Sequence, residues 1–479
     1  MTKWKITIPN FLGGFAPAWY LSSYPSYGNK NMAGDMKNVN LIDPNCVTQG
    51  PGLATLTNGD QSGVVTTLIK GILDKAVASD VSYAIGGNKL YKITSTEVVS
   101  DANFPHTIDH PSYTNENGED VAYFQGNLYY SYNHSDGGDV GKYDISGNSF
   151  DDDWLSTTGG FSLQNAPHPM IVGGNDFLYV ANGRYITSYD GETITEKDLD
   201  LPQNAVIQSL VWTLNRLWIA VNRPSLTGSN KTIGSIYVWD GYSPSWEDEI
   251  RIKGKIGTLY VKDGVIYVFY QDVTSGNSKL GYFTGSHIRE LVTFKGSLPA
   301  YYQVTEYQNF LIWLSDNLIY AFGAVDKNLP SMLFQIASAT YSNAGGLATP
   351  FGTPIVASYQ DTNYQLAKFS GYTTDCYWKS LMFEISDEEI GYIDKVIVNT
   401  KPLATGARVD VKITYNEGKG EKTLGSISYA NDGNATRKVF KPHLKVENFR
   451  IELDWSNGST SNPVSVRSIH IFGHTLAKE

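Results

Sequence analysis

Seven times between Leu90 and Val356 the chain writes one short phrase, a polar tight turn followed by an aliphatic–aromatic strand. The copies are GGNKLYKI (Gly86–Ile93), FQGNLYYSY (Phe124–Tyr132), GGNDFLYVA (Gly173–Ala181), TLNRLWIAV (Thr213–Val221), KDGVIYVFY (Lys262–Tyr270), YQNFLIWLS (Tyr307–Ser315) and a degenerate GTPIVASYQ (Gly352–Gln360). With Leu90, Leu128, Leu178, Leu217, Ile266, Leu311 and Val356 as markers, the steps are 38, 50, 39, 49, 45 and 45 residues. An all-strand unit recurring every roughly 40–50 residues predicts a β-propeller blade. Seven copies predict about seven blades; six or eight fit nearly as well, and the hairpins of a β-sandwich are the competing arrangement.

A second phrase closes most units: YDISG (Tyr143–Gly147), YDGE (Tyr189–Glu192), VWDGY (Val238–Tyr242), YFTGS (Tyr282–Ser286), YAFGA (Tyr320–Ala324) and KFSGY (Lys368–Tyr372). Asn or Asp beside Gly supplies the positive φ that two-residue hairpin turns require. The aliphatic and aromatic residues then fill pleated faces that stack on neighbouring blades.

The repeat does not account for the whole chain. Its 479 residues exceed one compact core and predict two or three domains. Residues 1–67 read as a non-repetitive arm rich in Gly, Pro and aromatic rings, 68–376 as the propeller, and 377–479 as a C-terminal antiparallel β-sandwich or jelly roll. The sandwich is predicted from alternation in Leu381–Ile385, Val396–Val398, Val409–Tyr415 and Phe449–Trp455, and from a phase slip between Val466 and Ile469 that marks a β-bulge near Arg467. Ser386–Glu389 resembles a capping box and predicts one helical turn. Residues 323–352 are the least repeat-like part of the propeller, and Asn133–Val140 and Asn222–Gly234 read as polar insertions that carry whatever the propeller binds. In the arm, Phe11, Phe15, Trp19, Tyr20, Tyr24 and Tyr27 are too many large rings to leave in water. They are expected at a subunit or partner interface, with packing on the chain's own propeller as the alternative.

Composition narrows the function classes. A net charge of −11 with no basic tract argues against tight wrapping of nucleic acid. No stretch approaches the roughly 18 consecutive apolar residues of a membrane span. The opening MTKWKITIPNF lacks the apolar core of a secretion signal. Two cysteines, Cys46 and Cys376, do not make a disulfide framework and agree with synthesis in a reducing cytosol.

The search for catalytic, cofactor and metal residues yields none. Gly138–Tyr143 lacks the spacer and hydroxyl of a phosphate loop, and His106 and His110 have metal-pair spacing but sit between Pro105 and Pro111 without the glutamate of a zinc-protease motif. Asp151-Asp152-Asp153 lacks EF-hand spacing and reads as a solvated turn. There is no Gly-x-Ser-x-Gly elbow, no recurring sialidase-type box, and no pair of acids singled out for glycoside cleavage.

The order of parts carries a resemblance. The arm runs through NVNLIDPNCVTQGPGLATL (Asn38–Leu56), in which Gly50-Pro51-Gly52-Leu53 stands where many bacteriophage virion proteins place an Arg-Pro-Gly-Leu or Gly-x-Leu phrase, with Gln49 where a basic residue is frequent. In size and layout the chain resembles the tail nozzle proteins of short-tailed phages. That resemblance implies a non-enzymatic virion protein assembled in the host bacterial cytoplasm as a cyclic homo-oligomer, a hexamer foremost. It would contact other tail proteins such as an adaptor and pass DNA through an acidic conduit without sequence recognition. The alternative is a carbohydrate-binding receptor-recognition protein directed at a host surface glycan, and the third reading a glycan-active propeller enzyme.

Overall fold

The computed structural model describes residues 2–15, 32–43, 46–224, 232–252, 254–385 and 389–477. Between residues 52 and 370 the chain forms seven antiparallel blades; six of the seven markers of the sequence phrase fall in the second strand of their blade, and Leu90 falls in the third strand of blade 1. Five blades are contiguous four-stranded meanders. Blade 2 spans Asn117–Asp151, blade 3 Met170–Asp200, blade 4 Val206–Ile252, blade 5 Gly254–Phe294 and blade 6 Val304–Ser338. In blade 1, Ser82–Gly86, Lys89–Ile93 and His106–Thr107 pair in order, and Lys70–Leu73 adds an inner edge through Lys70 N–Ile85 O and Leu73 N–Tyr83 O bonds of 2.9 Å.

Blade 7 closes the ring. Its strands Asn343–Ala348, Ile355–Gln360 and Asn363–Ser370 are completed by Gly52–Asp60, with Leu53 opposite Phe369. Residues 323–352, the least repeat-like part in sequence, supply the last strand of blade 6 (Met332–Ser338) and the first of blade 7 (Asn343–Ala348). The turn chemistry follows the sequence: Gln125–Gly126, Leu214–Asn215, Asp263–Gly264 and Gln308–Asn309 have positive φ at both central positions, as tightly twisted hairpins demand.

The C-terminal sandwich is not made by the C-terminal residues alone. One sheet orders Thr2–Ile8, Val466–Ala477, Glu389–Thr400 and Arg437–Phe440, with Leu444–Val446 also on Glu389–Thr400. The other orders Ala33–Lys37, Tyr377–Ser380, Asn448–Asp454, Arg408–Tyr415 and Gly420–Ser428. Segments assigned from sequence to a separate arm thus form a strand in each sheet. Ile8 sits opposite Ile469, and Met36 opposite Trp378. The bulge expected near Arg467 is there, since Asn399 pairs with Ser468 and Thr400 with Val466. Among the described residues of the sandwich, the one helical turn is at Tyr429–Asp432. The capping-box residues 386–388 lie outside the described residues, and Glu389 opens a strand.

One continuous core fuses the parts. Ile8, Trp378, Val411, Ile451, Leu453 and Ile471 of the sandwich join Ile312, Phe334 and Ile336 of blade 6 and Val356 of blade 7. Phe11, expected at an interface between subunits, is buried in this core and meets the Trp378 ring edge-on at 4.9 Å. Phe15 packs partly buried against the same core. Trp19, Tyr20, Tyr24 and Tyr27 lie outside the described residues. Cys46 and Cys376 are buried free thiols, and burial pushes both thiols up from their ordinary pKa.

Candidate binding site in the axial cavity

The first strands of the seven blades surround the propeller axis, and between them lies a cavity of about 330 Å³. Every blade contributes: Asp74 from blade 1, Asp120 from blade 2, Met170 from blade 3, Trp212 from blade 4, Tyr260 from blade 5, Tyr301 and Tyr302 just before blade 6, and Leu347 from blade 7. Strand alternation places these side chains. A residue on an innermost strand that does not pack between blades faces the axis.

The two carboxylates are fixed by bonds that cross between blades. Asp74 accepts from Thr349 N at 2.6 Å and from Thr305 Oγ1 at 2.9 Å, tying blade 1 to the neighbourhood of blades 6 and 7. Asp120 accepts from Met170 N at 2.8 Å and from its neighbour Val121 N at 2.9 Å, tying blade 2 to blade 3. Removal from bulk water dominates both groups. Burial pushes the Asp120 carboxyl up to about 7, Glu119 adding to the shift, while the bonds from Met170 and Val121 pull against it. Burial likewise raises Asp74 above the usual carboxylate range despite its hydrogen bonds. Asp74 nevertheless reaches water, its side chain lining the cavity and being exposed.

Aromatic rings form the rest of the wall. Tyr301 donates to the Glu119 carbonyl at 3.1 Å, and burial lifts its hydroxyl well above the ordinary tyrosine value. Tyr302 is pushed up to about 12 by burial, with Glu119 adding. Trp212 lies nearly parallel to Tyr179, with centroids 5.9 Å apart at 11°. Its indole is seated over the turn of blade 3, where a Cβ on Gly174 would come within 2.7 Å of Trp212 Nε1. The glycine pair of GGNDFLYVA is therefore needed for this close approach, and Asp176 carries the left-handed φ of the turn at 60°.

None of these cavity residues was singled out by sequence reasoning. The available signal was partial: an acidic or aromatic residue a few positions before four of the phrases, at Asp120, Trp212, Tyr260 and Tyr301–Tyr302. The insertions expected to bind ligand are placed elsewhere. Asn133–Val140 is a tight hairpin, with His134 opposite Gly137 and Asp139 fully buried. Of Asn222–Gly234, residues 225–231 lie outside the described residues, and the flanks pair as strands.

The dismissed motifs do come together, as a structural joint. Asp152, expected in a solvated turn, accepts from Tyr130 Oη at 2.5 Å and Asp109 N at 3.0 Å and meets His106 Nε2 at 2.9 Å. Burial opposes ionisation of Asp152, but the bonds from His106 and Tyr130 outweigh it and hold the carboxyl low. His110 Nε2 meets Asp139 Oδ2 at 3.2 Å, and His110 Nδ1 accepts from Ser112 N at 3.1 Å, so neither ring nitrogen is available to a nucleophile. Among the described residues, no group of three or more His, Cys, Asp or Glu could hold a metal ion.

No family model matches the chain, and no curated protein does. Solved structures resemble it at low identity. The extracellular domain of the hybrid two-component system BT3049 of B. thetaiotaomicron has a TM-score of 0.48 at 10% identity, covering 83% of this chain and 56% of that one. The Dos1 propeller gives 0.41 at 10% identity, covering 68% and 96%. Domains 1–2 of Drosophila Semaphorin 1b give 0.40 at 10% identity, covering 67% and 88%. The chain thus spans little more than half the length of the first of these, and the likeness is one of fold. In architecture the chain is all-β, a seven-bladed propeller fused to an antiparallel sandwich.

Proposed function

We propose that the chain is a carbohydrate-recognition propeller that holds a sugar unit in its axial cavity without cleaving it. The observation that carries this reading is the lining: the rings of Trp212, Tyr260, Tyr301 and Tyr302 beside the carboxylates of Asp74 and Asp120, around about 330 Å³. Sugars present an apolar C–H face to aromatic rings and hydroxyls to acceptors, and this cavity offers both in comparable measure. Binding rather than hydrolysis is favoured by the carboxyls themselves. Glycoside cleavage needs one acid held neutral and a second kept ionised, whereas burial moves Asp74 and Asp120 in the same direction. The test is calorimetry and glycan-array binding with the full chain and with Trp212→Ala. Saccharide binding weakened by the substitution supports the reading, and no binding to any saccharide overturns it.

A second reading has its own support. Gly50–Leu53, which resembles a phrase of phage virion proteins, is where the chain passes from the sandwich into the propeller. The continuous core behind it makes the two parts a stiff body suited to a ring of copies in a tail. Receptor recognition and tail assembly are compatible roles. Electron microscopy of the purified chain tests the second: closed rings support it, and a monomer at assembly concentrations overturns it.

A further inference from the structure

We infer that the axial cavity selects a ligand bearing a primary ammonium group, an amino sugar with a free amine, over neutral and acidic sugars. The inference rests on the carbohydrate reading above and concerns which sugar chemistry the same site accepts.

The argument begins with the charges that face the cavity. Asp74 and Asp120 both line it. Glu119, next to Asp120, is already engaged by Lys70 at 2.6 Å. Among the described residues no cation is ion-paired with Asp120, and the charge that acts on it is that of Glu119. At Asp74 the nearby Lys75 acts on the carboxyl less than burial and the bonds from Thr349 and Thr305 do. The other titratable groups nearby are the phenols of Tyr260, Tyr301 and Tyr302, which are neutral acids. Lys262, further along the blade 5 strand, is turned to Asp263 and Glu306 at 2.5 and 3.4 Å. The cavity therefore holds two carboxyls with acceptor capacity to spare, Asp120 drawn further from water than Asp74, and among the described residues neither is ion-paired to a cation.

Such a site pays for ionisation unless a cation enters. An ammonium group brought between the carboxyls would restore the missing counter-charge in a low-dielectric setting, where the attraction is strongest. The walls favour the same choice, since aromatic faces attract a cation and Trp212 is the best of these rings. Because both carboxyls are already oriented by bonds from Thr349, Thr305, Met170 and Val121, little ordering remains to be done on binding. An acidic sugar would meet like charge.

The experiment is calorimetry on the full chain at one pH with glucosamine, glucose, N-acetylglucosamine, glucuronic acid and spermidine. Glucosamine binding about tenfold or more tighter than glucose and N-acetylglucosamine, with glucuronic acid weakest, is the expected result. Equal affinity for glucose and glucosamine overturns ammonium selection and leaves the carbohydrate reading standing. Spermidine binding with no sugar binding at all keeps the ammonium site and removes the carbohydrate reading, and no binding by any of them overturns both. Asp120→Asn and Asp74→Asn are expected to bring glucosamine affinity down to that of glucose, removing the preference between the two. The wild-type series decides the question whether or not either variant folds.

Discussion

Asn38 Oδ1 accepts from Gln335 Nε2 at 3.0 Å, so a residue between two N-terminal strands is bonded to the outermost strand of blade 6. The same oxygen accepts from Ser338 Oγ at 2.8 Å, while Asn38 Nδ2 donates to the Asp375 carbonyl at 2.8 Å and the Asn38 carbonyl accepts from Gly50 N at 2.7 Å. Asn38 has a φ of 51°, a left-handed conformation that asparagine tolerates better than most residues. This one buried residue therefore adds a polar tie to the apolar core that joins sandwich and propeller.

Replacing it tests that role. Asn38→Ala leaves the buried groups of Gln335 and Ser338 short of a partner and places a Cβ residue without a compensating bond in the left-handed region. The expected loss is about 2–4 kcal/mol, read as a lower urea midpoint. Asn38→Gly relieves the backbone and not the bonds, so it should fall between wild type and alanine. A fully additive, negligible effect of both would show that the junction is held by the apolar core alone.

Removing residues 1–8 distinguishes a built-in strand from a detachable arm. Thr2–Ile8 pairs along Val466–Ala477 and buries Ile8 completely. Its loss bares a long strand edge and part of the core, so the truncated chain should aggregate or unfold at a clearly lower temperature. Unchanged thermal unfolding and solubility would contradict the pairing.

What was legible in the sequence was local. Leu128, Leu217 and Ile266 mark true second strands because a two-residue turn and the alternating strand after it are specified within about ten residues. The sharing of the sandwich between both ends was not legible, because nothing near Thr2 announces that its partner is Thr475. Asp152 misled for a related reason: three adjacent carboxylates look solvated until blade 1 brings His106 and the Asp109 amide against the middle one. The cavity was hidden likewise, since Asp74, Asp120 and Trp212 meet only when the ring closes.

The buried carboxyl of Asp120 should leave a mark on stability against pH. Its folded pKa is raised, by burial first, from 3.8 to about 7. The folded state thus holds the proton more tightly than the unfolded chain. That contribution is fully present below about pH 3.8 and is lost as pH rises through about 7. Asp120→Asn removes the ionising group, so its stability relative to wild type should improve from acid to alkaline conditions by on the order of 2–4 kcal/mol. Chemical denaturation at acid and alkaline pH measures this, and parallel profiles for the two proteins would show that Asp120 titrates normally.

Gly174 offers a way to disturb the cavity without touching a residue that lines it. A Cβ at this position would lie 2.7 Å from Trp212 Nε1, closer than packed atoms tolerate. The backbone at Gly174 is not in the left-handed region, so alanine brings contact and no conformational strain. The indole can yield only by leaving its stack on Tyr179, and it is then displaced relative to the cavity it walls. Gly174→Ala should therefore weaken saccharide binding about tenfold or more while the chain still unfolds cooperatively. A shift in tryptophan emission would report the moved ring. Wild-type affinity alongside that emission shift would mean that Trp212 is part of the wall but not of the binding surface, and the weight of recognition would pass to Tyr260, Tyr301 and Tyr302.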